Sequence, residues 1–126
     1  MTGKFGTALT CIDGRVQEPV ARWLREHYYL DYIDVISEPG VDALLAAGDS
    51  PQAAWVREKV QRSLQRHGSN LIAVVGHYDC SANSGTQAEH AEQIRRALQA
   101  VRLWGFSATV EGLWVNETWE VEVVGG

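Results

Sequence analysis

Short apolar blocks recur along the chain, and between them the apolar positions fall at helical spacing. Residues 5–12 (FGTALTCI) mix β-branched and apolar side chains and predict a first strand. Pro19 suits the first turn of a helix, in which Val20, Trp23, Leu24 and His27 recur at helical spacing and form the inner face. Residues 32–37 (YIDVIS) predict a second strand. Glu38-Pro39-Gly40 is a turn before a short helix over 41–47, which Gly48 ends. Ser50 is an N-cap ahead of Pro51 at the first helical position; that helix runs to His67, with Gly68 as its stop. Residues 71–76 (LIAVVG) are apolar throughout, as expected of a strand covered on both faces. Thr86 and Glu89 form a capping box before a helix carrying Ala91, Ile94, Leu98 and Val101, and Gly105 ends it. Residues 108–115 and 119–124 predict two last strands around an Asn116-Glu117 hairpin turn.

Strands alternating with helices imply an α/β domain over 1–126. A four-stranded, mostly parallel sheet flanked by helices is expected, with one C-terminal antiparallel strand added. With 126 residues, 45% of them apolar, the chain can bury a core without disulfides. Eleven basic against 16 acidic side chains leave a net charge of −5, which disfavours binding to nucleic-acid phosphates. The longest uninterrupted apolar runs, 43–47 and 71–75, are five residues each, whereas crossing a bilayer takes about 20. The first ten residues lack the apolar core of a signal peptide, so a cytoplasmic location is expected and two cysteines are no disulfide framework.

Ligands of parallel sheets bind beyond the carboxyl ends of strands, where the strand order reverses. The first predicted strand ends in Cys11-Ile12-Asp13-Gly14-Arg15, the third in Gly76-His77-Tyr78-Asp79-Cys80, and both cysteines lie in these segments. Two thiols and one imidazole converging there, with an open fourth position, match a catalytic zinc pattern. His, Asp or solvent would close the set. Two thiolates leave the ion formally neutral, which tempers its acidity. Asp13 and Arg15 are spaced to pair over the metal, the carboxylate accepting a proton from water while the guanidinium holds it. The amides of residues 81–85, with the following helix N-terminus, offer an anion site, against the plainer reading of a capped loop. Asp79 reads as a loop brace and His67 as a dipole partner at a helix C-terminus, while His27 and His90 have no partner at ligand spacing.

Cys-x-Asp-x-Arg and Gly-His-x-x-Cys in these positions resemble the β-class carbonic anhydrases over 5–16 and 71–80, and 111–115 (EGLWV) resembles that family's last strands. The resemblance implies a zinc enzyme that reversibly hydrates CO2 to bicarbonate. Cys11, His77 and Cys80 carry over as zinc ligands and Asp13 and Arg15 as the catalytic pair, with Asp13 able to take the fourth zinc position in an inactive form. It also implies a homodimer, in which five tryptophans and an apolar C-terminal segment find cover, although the family's N-terminal helical arm has no counterpart. The family's Arg-Asn-Ala-Gly stretch falls on Ser37-Glu38-Pro39-Gly40, which makes that wall acidic, and its glycine after the second zinc cysteine is Ser81. Glu38, Gly40, Ser81 and Asn83 are thus the candidate substrate-binding positions. Glu38 is expected beside Cys11, repelling bicarbonate and competing for Arg15. Two other readings keep the zinc: a hydrolase of carbonyl sulfide, carbon disulfide or a small ester, and a zinc-binding protein without turnover.

Overall fold

The computed structural model describes residues 3–125. Its strands are β1 (Phe5–Thr10), β2 (Tyr32–Ser37), β3 (Leu71–His77), β4 (Thr109–Val115) and β5 (Val121–Gly125). Between them run α1 (Gly14–Tyr28), α2 (Val41–Ala46), α3 (Pro51–His67) and α4 (Gln87–Leu103). They form one sheet in the order β2-β1-β3-β4-β5, parallel except for the β4–β5 pair. The expected fold class is the observed one.

Alternation along the central strands sorts the core into two layers. Leu9, Ile72, Val74, Val110 and Trp114 face α2, α3 and α4, whereas Ala8, Leu71, Ala73, Val75 and Leu113 face α1. All seven residues of β3 are buried, which explains its unbroken apolar run. Ser50 caps α3 through a 3.0 Å bond from the Ala53 N–H, and Thr86 and Glu89 close the capping box of α4. After β1 the chain turns to β2 on one side, and later returns to β3 on the other. The carboxyl ends of β1 and β3 therefore flank the point where the strand order reverses.

Three boundaries differ from the sequence expectation by two residues or more, the first being the end of β1 at Thr10 rather than at residue 12. Helix α1 begins at Gly14, so Pro19 lies inside it rather than in its first turn. Asp13 sets that start by accepting the Arg15 N–H at 2.9 Å, and the helix carries Pro19 in its second turn without that residue's backbone donor. Its buried face is Val16, Val20 and Leu24; Trp23 is half-buried, and His27 lies outside, stacked 3.8 Å from the Trp23 ring. The last hairpin turns over five residues rather than two. The Asn116 carboxamide oxygen accepts the Thr118 and Glu120 N–H groups at 3.0 Å each, and Trp119 takes a left-handed φ of 60°, outside β5.

Candidate metal centre

Cys11 stands one residue beyond β1, His77 is the last residue of β3, and Cys80 follows three residues later. Their ligand atoms all lie within 4.8 Å of one another, and all three side chains are buried. The thiols are free, with the Sγ atoms 3.9 Å apart, well beyond the roughly 2.05 Å of a disulfide. Nδ1 of His77 donates to the Tyr78 carbonyl at 2.7 Å. That bond fixes the tautomer and leaves Nε2 as a lone-pair acceptor. This buried Nε2 has no hydrogen-bond partner among the described residues. An orphaned imidazole nitrogen facing two thiols is what a soft-to-borderline cation such as zinc would satisfy, so the donor set fits the metal.

Burial pushes the Cys80 thiol above its ordinary pKa, and the neighbouring Cys11 adds to this, while the Ala82 and Asn83 backbone N–H groups oppose it. A bound cation would remove the thiol protons and relieve that cost.

Asp13 and Arg15 sit at the rim as an ion pair. Arg15 Nε donates to Oδ1 at 3.0 Å and Nη2 to Oδ2 at 2.7 Å, a bidentate fork. These bonds hold the Asp13 carboxyl down at about 2. The carboxyl is therefore ionised near neutral pH. The compact ligand cluster does not include Asp13. Arg15 is itself steered by Asp79, through its carboxylate at 3.3 Å and its carbonyl at 3.2 Å, and lies 4.5 Å above the Trp119 ring. Asp79 thus braces the loop as expected. Glu38 does not compete: among the described residues it forms no pair with Arg15, and only its N–H is tied, to the Thr10 carbonyl at 3.0 Å.

Gly40 adopts φ 59° as the N-cap of α2, and a Cβ there would lie 3.2 Å from Cβ of Asn83. Ser81 is exposed on the loop after Cys80. The Asn83 carboxamide has both N–H bonds committed, to Asp42 at 3.0 Å and Gln93 at 2.7 Å, so it has no donor left for an anion.

Sequence reasoning missed Gln17, Asp42 and His90. Gln17 Nε2 donates to the Cys11 and Asp13 carbonyls at 2.7 and 2.9 Å, clamping the loop that carries both; its position four residues after Asp13 was the available signal. Asp42 and His90 meet across 48 residues with no local signal at all.

Solved structures sharing this fold include β-carbonic anhydrase isoform I of Trichomonas vaginalis (TM-score 0.65, 14% identity, 95% of this chain and 82% of that one). The carbonic anhydrase of Streptococcus mutans is also similar (TM-score 0.58, 21% identity, 94% and 81%). So is a tetrameric β-carbonic anhydrase of Sordaria macrospora (TM-score 0.55, 12% identity, 99% and 83%). No curated protein matches the sequence. The model of the family described as "Putative carbonic anhydrase" matches residues 1–125, and the chain, carrying this fold and this cluster at its switch point, belongs to that carbonic anhydrase family.

Proposed function

We propose that residues 1–126 act as one zinc domain that reversibly hydrates CO2 to bicarbonate. The observation that supports this most is the buried Cys11–His77–Cys80 cluster with its orphaned imidazole nitrogen beside a bidentate Asp13–Arg15 pair. Zinc held by Cys11, His77 and Cys80 would supply Lewis-acid activation of water at neutral pH. Asp13 Oδ atoms accept from Arg15 and remain available to orient a water O–H. Arg15, pinned by Asp79 and Trp119, keeps that carboxylate away from the ligand set. Gly40 lets α2 pack closely against the 82–83 backbone, and Ser81 at the loop surface offers a hydroxyl and an N–H to an anionic product. Glu38, half-buried at the end of β2, gives the wall an acidic edge.

A cytoplasmic homodimer is part of the reading. Ile12 and Tyr78 stand exposed beside the ligands, and the edge strand β2 exposes Tyr32 and Val35, an apolar surface that a second copy would cover. No helix among the described residues is long and apolar enough to cross a membrane. A monomer in sedimentation at micromolar concentration would remove the dimer.

The decisive test is zinc stoichiometry with CO2 hydration by stopped flow. One zinc per chain and turnover are expected, both lost in Cys80→Ser. Zinc binding with turnover of carbonyl sulfide alone would shift the reading to that substrate, and a chain taking up no zinc would end it.

A further inference from the structure

Behind the ligand cluster lies a second buried polar group that the hydration chemistry does not use. Asp42, in the first turn of α2, and His90, in the first turns of α4, face each other with Nδ1–Oδ2 at 2.7 Å, and both side chains are almost fully buried. Burial alone would push His90 toward the neutral ring. The hydrogen bond and charge of Asp42 outweigh it, helped by the Asn83 backbone, and raise the His90 pKa above its ordinary value. The second Asp42 oxygen accepts the Ala43 N–H at 2.9 Å and the Asn83 amide at 3.0 Å. The remaining Asn83 amide hydrogen goes to Gln93 at 2.7 Å. One loop side chain is therefore anchored to two helices at once.

That loop follows a ligand directly. Asn83 lies three residues after the buried Cys80, on the short turn that carries it into α4. From the other side Gly40 presses on the turn, leaving 3.2 Å between its would-be Cβ and Cβ of Asn83. With its side chain tied to Asp42 and Gln93 and its Cβ against Gly40, Asn83 limits where the backbone of the turn after Cys80 can lie.

We propose that Asp42, His90 and Asn83 are positioning residues for Cys80: the buried pair fixes the Asn83 amide, and Asn83 fixes the turn that carries Cys80. The inference rests on the metal reading above. Partners of this kind, one shell away from a metal, typically change its affinity by about 10- to 100-fold.

The test measures zinc affinity by competition with a chromophoric chelator, and the thiolate-to-cobalt charge-transfer band of the cobalt(II)-substituted full chain. Asn83→Ala and Asp42→Asn should each weaken zinc binding about 10-fold or more and shift the band. Acting along one path, the double variant should lose little beyond the weaker single variant. Asn83 is half-exposed on a loop, so Asn83→Ala carries the test if Asp42→Asn does not fold. Ser63→Ala is the control for plain destabilisation. Its hydroxyl belongs to a separate buried network, 2.6 Å from Thr7 and 2.7 Å from Asp34, and its loss should leave affinity and band unchanged. A folded Asn83→Ala with wild-type affinity and spectrum would overturn the inference and leave the metal reading standing. A wild type that takes up neither zinc nor cobalt would overturn both.

Discussion

Replacing Gly76 with alanine adds a methyl group at the tightest point of β3. The new Cβ would lie 2.5 Å from Oδ2 of Asp42 and 3.0 Å from Cδ1 of Ile94. The backbone offers no way out, because the central strand is hydrogen-bonded to β1 and β4. Asp42 cannot swing freely either, since its oxygens are tied to His90, Asn83 and the Ala43 N–H. Overpacking of this kind costs about 1–3 kcal/mol. Breaking one buried, charge-assisted hydrogen bond costs a further 1.5–3 kcal/mol or so. Alanine returns about 0.5–1 kcal/mol through the unfolded chain. The net expectation is a loss of about 2–5 kcal/mol, or a fall in Tm of at least about 6 °C for a chain of this size. Urea and thermal denaturation of metal-free protein would measure it. Gly112→Ala is the comparison: its Cβ would meet Cγ2 of Ile94 at 2.6 Å and Cδ1 of Leu98 at 3.1 Å, apolar overpacking with no buried hydrogen bond to break. It should cost less. In an Asp42→Ala background the Gly76→Ala penalty should fall below about 1 kcal/mol, because the colliding carboxylate is gone. A Gly76→Ala protein within about 0.5 kcal/mol of wild type would refute the claim that Gly76 is required by Asp42.

Two further outcomes concern pH. The Arg15 hydrogen bonds hold Asp13 at about 2 against an ordinary 3.8, so its contribution to stability is present above 3.8 and is lost as pH falls toward 2. Asp13→Asn should flatten that acid limb in urea titrations; an unchanged limb would mean the pair does not persist in solution. His90 runs the other way: its folded pKa is raised above 6.5, so its contribution is full below 6.5 and fades as pH rises through the folded value. His90→Gln should remove that decline above pH 6.5, and a decline of the same size in the variant would assign it to another group.

Local order was readable from the sequence because its causes are local. The unbroken apolar run of β3, the Ser50 cap, the Thr86–Glu89 box and the Gly68 stop each depend on residues within a turn or two, and each appears in the structure where the pattern puts it. The candidate site was readable for a related reason. Cys11, His77 and Cys80 follow strands whose order any βαβ alternation constrains, so their meeting at the switch point needed only the topology. Tertiary structure decided what depends on distant packing. Arg15 has Asp79 and the Trp119 ring for neighbours rather than Glu38, because the last hairpin and the Cys80 loop fold over the start of α1. The α1 boundary lies at the Asp13 cap, with Pro19 inside the helix, because the Asp13 side chain closes on the Arg15 N–H, a contact that the composition around Pro19 does not reveal. The Asp42–His90 pair exists only because α2 packs on α4, bringing together residues 48 apart whose buried charges carry no periodic signal in the chain. Spacing along a sequence encodes neighbours within a helix or along a strand. A buried ion pair between two helices is fixed by the register of their packing, which the completed sheet sets.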